Sequence, residues 1–488
     1  MTDTIRFVLG GAVQTVSVTD PTQTVLQWLR ANYRPGTKEG CAEGDCGACT
    51  VVLGERDRST PRGIRYRAVN ACIVFVPQLD GKQLITVEDL KAADGTLHPV
   101  QQAMVDYHGS QCGFCTPGFV MSLFAEFHDG PKDLTRDRLL DVIAGNLCRC
   151  TGYRPIVEAG LAMRQHGAAD QFSAAERGTV AMLDQIARPT SVMVQGAGRT
   201  FYAPRQVDEL ASLYATHPDA TILAGGTDVG LWVTKQHRDL QTVISIGEVA
   251  GFADIEERHG NLVIGGGATY TDLLPALDRH FPDFATMVRR LGSTQIRNSG
   301  TMGGNVANGS PIGDSMPALI ALGTHVVLNH GGTRREIPLE ALYIAYGQQS
   351  RAPGELVETL IVPVDRPDLM FGTYKVSKRL DQDISAVCGA YAVTLTPDGN
   401  ISDARIAYGG MAATPKRAPA AEAALVGHPW SLETVMAAAA ALATDYQPIS
   451  DMRASAAYRG QVARNLLIRF YLDQTGQGEQ PAEAAHAG

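Results

Sequence analysis

Several common sequence patterns are absent from this chain of 488 residues. No run approaches the roughly 18 consecutive apolar residues of a membrane-spanning helix, so we expect no membrane partner. Residues 1–6 lead directly into alternating apolar residues and show no signal-peptide pattern. Basic residues are not in excess, because 42 Lys and Arg stand against 51 Asp and Glu. This balance argues against nucleic acid as a partner, and we expect a cytoplasmic protein.

Motifs of nucleotide binding and of repeat proteins are missing as well. The sequence has no Walker loop, no full G-x-G-x-x-G fingerprint and no internal repeat. Its 12 histidines show no metal-ligand clustering, so each is expected to be a surface or core residue. Cysteine is nearly absent after residue 150, and the single exception, Cys388, is typical of a buried strand thiol.

The other eight cysteines form two groups of four. The first group has the spacing C-x4-C-x2-C with a fourth cysteine further on, namely Cys41, Cys46, Cys49 and Cys72. This spacing closely matches the plant-type [2Fe–2S] pattern. Gly40, Gly44 and Gly47 allow the loop to fold around a cluster in conformations that a Cβ would obstruct. A structural zinc site is the alternative, although zinc more usually shows two paired C-x2-C knuckles.

The second group is less specific by itself. It joins a C-x2-C pair to a distant C-x-C pair, namely Cys112, Cys115, Cys148 and Cys150. Such a set could hold zinc, but beside an iron–sulfur domain a second cluster is favoured. Arg149 lies between two of the ligands, where its charge could offset that of a thiolate-ligated cluster. In a reducing compartment both groups favour metal over disulfides.

Apolar periodicity predicts a multidomain α+β protein. Alternating residues and one short helix indicate a β-grasp ferredoxin-like domain, in which a strand over 69–76 carries Cys72. After this domain, apolar residues recur every three or four positions, which indicates a helical bundle. A stretch with weak periodicity follows, and after it the patterns again indicate helices and strands. The predicted boundaries are a β-grasp domain over 1–85, a helical domain over 86–166, a linker over 167–198, α+β domains over 199–368 and 369–475, and a disordered tail over 476–488.

Two glycine-rich segments lie in the part without a cysteine ligand set. Residues 222–230 indicate a strand that runs into a tight glycine turn, and residues 299–305 indicate a second turn, followed by 310–314. Exposed N–H groups in such turns form anion nests suited to a pyrophosphate. As isolated turns they are more typical of plain hairpins. Together with electron-carrying clusters they favour a flavin.

The cysteine motifs and the glycine-rich segments together resemble those of the molybdenum hydroxylases (the xanthine oxidase family). Among these proteins, they are most similar to the iron–sulfur/FAD small subunits of bacterial xanthine dehydrogenases. The similarity is carried by residues 44–50, 111–118, 146–153 and 303–305 with 310–314. It implies that the first quartet holds a plant-type [2Fe–2S] cluster and the second a helical-domain [2Fe–2S] cluster. It also implies that 199–368 is an FAD-binding domain of the vanillyl-alcohol-oxidase/PCMH type, and 369–475 a C-terminal flavoprotein domain.

The resemblance further implies where FAD and NAD bind. FAD would be held mostly through backbone groups by Ile222, Leu223, Ala224, Gly225, Gly226, Thr227, Asp228, Val229, Thr301, Gly304, Asn305, Asp314, Val357 and Lys375. The segment Arg379–Asp383 resembles the loop that helps to admit NAD.

The same resemblance implies an electron-transfer subunit. In this family the molybdenum cofactor lies on a large domain for which these residues leave no room, so a separate molybdenum-binding subunit in an (αβ)2 heterotetramer is expected. No residue of this chain would catalyse hydroxylation itself. Electrons would pass from molybdenum through the helical cluster and the plant-type cluster to FAD and NAD while hypoxanthine and xanthine are oxidised to urate. The alternatives are a related hydroxylase of aldehydes or other N-heterocycles, and a non-enzymatic iron–sulfur carrier.

Overall fold

The fold is described from a computed structural model over residues 4–167 and 169–478. From residue 479 onwards, the predicted disordered tail lies outside the described residues. The chain divides into two compact units. The first unit runs to Phe252 and also contains 269–271 and 292–301, and the second unit contains 253–268, 272–291 and everything from Met302.

The first unit begins with a five-stranded mixed sheet and one helix, as expected for a β-grasp domain. Its elements are β1 (Thr4–Leu9), β2 (Ala12–Ser17), α1 (Val25–Ala31), β3 (Thr50–Arg56), β4 (Ile64–Asn70) and β5 (Gln83–Ile85), with sheet order β2-β1-β5-β3-β4. Gly10 and Gly11 turn the first hairpin with φ of 60° and 75°, which favours glycine. Thr24 caps the N-terminus of helix α1, because its side chain accepts the Gln27 N–H.

The prediction of a strand over 69–76 is wrong, because β4 ends at Asn70. The backbone after Asn70 forms its hydrogen bonds outside the sheet. The Ala71 N–H donates to the Cys49 carbonyl, and the Ala71 carbonyl accepts the Leu26 N–H of α1. Cys72 is therefore held in a turn between the cysteine loop and α1, and a 3-10 turn, Val76–Leu79, follows.

Four helices then form the predicted helical domain. They are α2 (Pro99–Asp106), α3 (Thr116–Asp129), α4 (Arg136–Ile143) and α5 (Arg154–Ala162). Their apolar faces bury residues such as Phe119, Leu123 and Ile156. Val52 and Tyr66 of the β-grasp sheet belong to the same core, so the two cysteine-bearing domains pack as one body.

The predicted linker over 167–198 is not an irregular connection. It contains α6 (Gln171–Ile186) and the first strand of the next sheet, β6 (Val192–Gly196). Leu183 and Ile186 of α6 are buried in the core of the helical domain. Two ion pairs to the β3–β4 hairpin add to this packing, from Arg62 to Glu176 at 3.3 Å and from Arg56 to Asp184 at 2.7 Å. The Ala-rich composition weakened the periodicity that would have predicted this helix.

The remaining elements complete both units. In chain order they are β7 (Arg199–Ala203), α7 (Val207–Thr216), β8 (Thr221–Leu223), α8 (Val229–Thr234), β9 (Thr242–Ser245), β10 (Ile255–Arg258), β11 (Asn261–Gly265), α9 (Tyr270–His280), α10 (Pro282–Leu291), α11 (Thr294–Arg297), α12 (Met302–Asn308), α13 (Ser315–Ala321), β12 (His325–His330), β13 (Thr333–Pro338), β14 (Tyr343–Ala345), β15 (Gln348–Gln349), β16 (Leu356–Pro363), β17 (Met370–Val376), β18 (Val387–Leu395), β19 (Ile401–Gly409), β20 (Lys416–Arg417), α14 (Pro419–Leu425), α15 (Leu432–Asp445) and α16 (Ala456–Gln474).

Among the described residues, four further sheets organise these elements, and the smallest is the two-stranded sheet β14-β15. The first unit holds the sheet β6-β7-β9-β8, in which β9 runs parallel to both of its neighbours. The second unit holds the antiparallel sheets β10-β11-β16-β12-β13 and β17-β18-β19-β20, and α14 to α16 cover the latter. Cys388 is buried in β18, as predicted. Within the described residues no helix is long and apolar enough to span a bilayer. The α+β multidomain fold class is confirmed.

Candidate iron–sulfur and flavin sites

The first cysteine quartet lies on the loop between α1 and β3 and on the turn after β4. Cys49 and Cys72 are buried, and Cys41 and Cys46 are partly exposed. The N–H groups of Glu43 and Cys46 donate to the Cys41 sulfur at 3.4 and 3.3 Å, and the Cys41 N–H donates to the Cys46 sulfur at 3.3 Å. Backbone donors of this kind stabilise thiolates and tune cluster potentials.

The four sulfurs of this quartet converge. Cys41 contacts Cys46 and Cys72 through sulfur, and Cys72 also contacts Cys49. Hydrogen bonding from Cys46 lowers the pKa of Cys41, whereas hydrogen bonding with Cys41 raises the pKa of Cys72. Sulfurs this close cannot all ionise without a compensating cation. The donor set therefore fits iron, which would supply that charge.

The second quartet lies at the start of α3 and on the loop before α5. Its sulfurs pair across the two motifs, Cys115 with Cys148 and Cys112 with Cys150. Burial and then the Cys148 contact raise the pKa of Cys115 to about 12. The Thr151 hydroxyl donates to the Cys148 sulfur at 3.2 Å. Cys112 and Cys150 are exposed, so this site reaches the protein surface.

A compact group of other side chains lies apart from the cysteines. In the described part of the chain, one group of three or more His, Cys, Asp or Glu ligand atoms lies within 4.8 Å of one another, and it contains no cysteine.

That one compact group corrects the prediction that the histidines do not cluster. It comprises His98, His128 and Asp170, and all three side chains are at most 2% exposed. Both histidine Nε2 atoms approach the same Asp170 Oδ2, at 2.5 and 2.9 Å. His98 Nδ1 accepts the Val100 N–H, so its Nε2 carries the proton and cannot bind a metal. The hydrogen bonds of this group join α2, α3 and the start of α6.

The glycine turn of the first unit fits an anion. Ile222 and Leu223 end β8, and residues 224–228 turn into α8. Among the hydrogen bonds of the described residues, the backbone N–H groups of 224–229 donate to no main-chain acceptor. Gly226 has φ of 76°. A run of free N–H groups in such a turn can bind a pyrophosphate. Thr301, also in the first unit, is buried and forms an isolated bridge with Thr269.

The predicted flavin residues of the second unit are tied to one another. The Lys375 ammonium donates to Asp314 Oδ2, and the Ser385 hydroxyl donates to Asp314 Oδ1 at 2.6 Å. The Asn305 side chain accepts the Ser315 hydroxyl at 2.6 Å. These side chains are engaged with one another, and the prediction that FAD is held mostly by backbone groups stays a prediction.

The other residues of the second unit that are predicted to bind FAD are Gly304 and Val357. Gly304 lies in the first turn of α12, and Val357 is buried in β16. Lys375 also donates to the carbonyl of Asp383, at 2.7 Å. It therefore holds the end of the loop Arg379–Asp383, for which the resemblance implies a role with NAD.

The residue that follows Cys72 is in direct contact with the glycine turn. Ile73, next to Cys72, packs with its backbone against that turn. A Cβ on Gly226 would lie 2.3 Å from the Ile73 carbonyl oxygen, and one on Gly230 would lie 2.8 Å from the Ile73 Cβ. The side-chain amide of Gln78 also donates to the carbonyl of Ala224 at 3.0 Å. Glycine is required here because two backbones meet without space for a side chain.

Comparison with known proteins supports this arrangement of domains. Four family models match in sequence order: a 2Fe–2S iron–sulfur cluster binding domain over 7–77, a [2Fe–2S] binding domain over 86–161, the FAD binding domain in molybdopterin dehydrogenase over 194–365, and the CO dehydrogenase flavoprotein C-terminal domain over 372–474. The chain is an iron–sulfur flavoprotein of the molybdenum hydroxylase type. The matched domains of this chain are thus two [2Fe–2S] domains, an FAD-binding domain and a flavoprotein C-terminal domain.

Relatives of this molybdenum-hydroxylase chain include xanthine dehydrogenases. The protein from Emericella nidulans is 30% identical over 98% of this chain, and that from Drosophila subobscura is 31% identical over 96%. In both cases the chain spans 39% of the relative's length. Among solved structures, the carbon monoxide dehydrogenase of Hydrogenophaga pseudoflava is similar over 57% of this chain and 98% of its own, at 27% identity and a TM-score of 0.54.

Several residues important to these sites had no sequence signal. Ile73 reads as an ordinary apolar residue, and Gln295 as an ordinary polar one. In the structure the first meets the glycine turn, and the second is buried beside both cysteine regions. Only the tertiary contacts show that they matter.

Proposed function

We propose that this chain is the electron-transfer subunit of a xanthine dehydrogenase that works with a separate molybdenum-binding subunit. The relatives support this proposal because they are xanthine dehydrogenases that align over nearly the whole chain. When bound, [2Fe–2S] clusters carry single electrons, and a flavin accepts them singly and releases them as a pair to NAD. Xanthine or hypoxanthine would be oxidised on the partner. We also propose a cytoplasmic location, since reduced cysteine ligands suit a reducing compartment.

The observation that carries this proposal is a chain of contacts in the first unit. The exposed second quartet is nearest to solvent, and the N–H of Leu147, next to Cys148, donates to the carbonyl of Cys46 at 3.0 Å. On the other side of the first quartet, Ile73 meets Gly226 of the glycine turn. This order supports entry of electrons at the helical cluster, passage through the plant-type cluster and exit at the flavin.

The exposed surface around the second quartet supports a protein partner. Phe114 and Leu147 lie beside the ligand cysteines and are 50% and 43% exposed. Val105 and Tyr107 of the same domain are also exposed, at 56% and 38%. Apolar side chains grouped around a redox site are typical of a docking surface. We propose that the molybdenum-binding subunit covers them.

The proposal is tested by isolating the native complex. We expect iron, flavin and molybdenum in the purified material, xanthine-dependent formation of NADH, and the mass of an (αβ)2 heterotetramer. If the complex oxidises aldehydes or other N-heterocycles but not xanthine, the proposed substrate is wrong and the proposed role of the subunit stands. Absence of iron and flavin from carefully purified protein would overturn the role itself.

A further inference from the structure

A glutamine from α11 is buried between the two cysteine-bearing regions. Gln295 is 1% exposed. Its side-chain amide donates to the Ser122 hydroxyl at 3.0 Å and to the side-chain oxygen Oδ1 of Asn146 at 3.1 Å. It also approaches the hydroxyl of Thr50 at 3.3 Å. One side chain therefore contacts α3, the loop before the second cysteine pair and the residue that follows Cys49.

These partners also fasten the two cysteine loops to each other. The Asn146 amide donates to the Gly47 carbonyl at 3.1 Å and to the Thr50 hydroxyl at 3.2 Å. The Ser122 hydroxyl donates to Asn146 Oδ1 at 2.7 Å. Gln295 thus completes a buried network in which every other member belongs to one of the cysteine regions. Gln295 Oε1 is buried without a hydrogen-bond partner, so it is the amide N–H group of Gln295 that ties this residue to the two cysteine loops.

Three glycines keep the loops close together around this network. A Cβ on Gly47 would lie 2.1 Å from the Gly145 carbonyl oxygen, and one on Gly118 would lie 2.2 Å from the Gly47 carbonyl oxygen. A Cβ on Gly145 would lie 2.2 Å from Gln295 Oε1. Gln295 therefore lies directly against the backbone at which the two loops meet.

The neighbours of Gln295 contact the same two regions and the glycine turn. The Arg297 guanidinium pairs with Asp141 of α4 at 2.7 Å, and the Asn298 amide donates to the Ala68 carbonyl at 2.9 Å. The Ser299 backbone abuts the glycine turn, because a Cβ on Gly225 would lie 1.8 Å from the Ser299 carbonyl oxygen. Residues 294–299, the clamp segment, thus touch both cysteine regions and the turn.

We infer that Gln295 is a positioning residue, through which the clamp segment sets the placement of the two iron–sulfur clusters relative to each other. The inference rests on the proposed function, because it requires both quartets to hold clusters. Electron tunnelling weakens steeply with distance, so a small change in this placement changes how fast electrons cross. Gln295 need not contact a cluster to have this effect.

The test compares Gln295→Met with Gln461→Met in the complete cluster-bearing protein. Methionine has a similar volume and cannot form the network, whereas Gln461 is exposed on α16 and provides the matched control. We measure iron and flavin content and the microwave power saturation of each reduced-cluster EPR signal, which reports its distance from the other cluster. In the complex with the molybdenum-binding subunit, rapid mixing with xanthine delivers electrons through the clusters and gives the rate of flavin reduction.

We expect Gln295→Met to retain iron and flavin, to change the power saturation of both signals and to slow flavin reduction, while Gln461→Met matches the wild type. Unchanged saturation and unchanged flavin reduction in Gln295→Met would overturn the inference. If that variant does not fold, Ser122→Ala removes one hydroxyl of the network, and an unaltered result there overturns it equally. A wild-type protein without iron–sulfur signals would instead contradict the proposed function.

Discussion

The two cysteine quartets offer the same four ligands in different surroundings. In the first, Cys49 and Cys72 are buried in the core of the β-grasp sheet. In the second, Cys112 and Cys150 are exposed. Identical ligand chemistry cannot give the two quartets different roles, whereas different burial can. Under the proposed function, the buried quartet exchanges electrons inside the chain and the exposed quartet receives them from a partner.

Removing one ligand from each quartet should give the largest contrast. Either Cys72→Ser or Cys150→Ser should lose about two of about four irons per chain, since each cluster holds two. Cys72 is 1% exposed, so its replacement also buries a hydroxyl and should cost about 1–3 kcal/mol of unfolding free energy. Cys150→Ser should leave the fold intact. Iron analysis and denaturant unfolding measure both effects, and equal destabilisation would contradict the contrast in burial.

A charge placed beside the exposed quartet should block partner binding and leave the chain folded. We expect Phe114→Asp to weaken binding to the molybdenum-binding subunit by about tenfold or more, because it buries a carboxylate in an apolar interface. Tyr33→Asp is the matched control, since Tyr33 is 95% exposed in the same unit. Titration calorimetry gives both affinities. Equal affinities for the two variants would place the docking surface elsewhere.

The contact between Ile73, which follows Cys72 of the buried quartet, and the glycine turn can be tested by adding a side chain to the turn. Gly226→Ala forces a Cβ onto a residue with φ of 76° and toward the Ile73 carbonyl. We expect a loss of about 1–3 kcal/mol in unfolding free energy and a lower FAD content. Gly178→Ala, on the exposed face of α6 with nothing near its Cβ, should stabilise by about 0.5–1 kcal/mol. A normal FAD content in Gly226→Ala would show that this turn does not take part in binding FAD.

Acidification should loosen the helical domain before the β-grasp domain. Burial lowers the pKa of His98 from its ordinary 6.5, despite its bond to Asp170. The unfolded chain therefore takes up this proton more readily than the folded one, and stability falls as the pH drops below about 6.5. Hydrogen exchange of α2 and α6 at pH 7.5 and pH 5.5 measures the effect. Equal loss of protection in the β-grasp strands would contradict it.

The sequence predicted these regions unequally, and the reason is the range of the interactions. The strands of the β1–β2 hairpin and helices such as α3 follow local periodicity, which the side chains alone reveal. The turn that carries Cys72 was mistaken for a strand because its hydrogen bonds go to α1 and to the cysteine loop. Helix α6 was missed because its few apolar residues meet a core built by other segments.

For the candidate sites, the sequence alone determined which cysteines and glycines are grouped along the chain. Cysteine spacing predicted two iron–sulfur sets, and the glycine-rich segments beside them favoured a flavin, because such chemistry needs those residues close together along the chain. Tertiary structure decided which quartet is buried and that Ile73 touches the turn. It also decided that Gln295 joins both cysteine regions, across 149 residues from Asn146. Contacts between distant segments depend on how whole domains pack, and spacing along one chain carries no record of that packing.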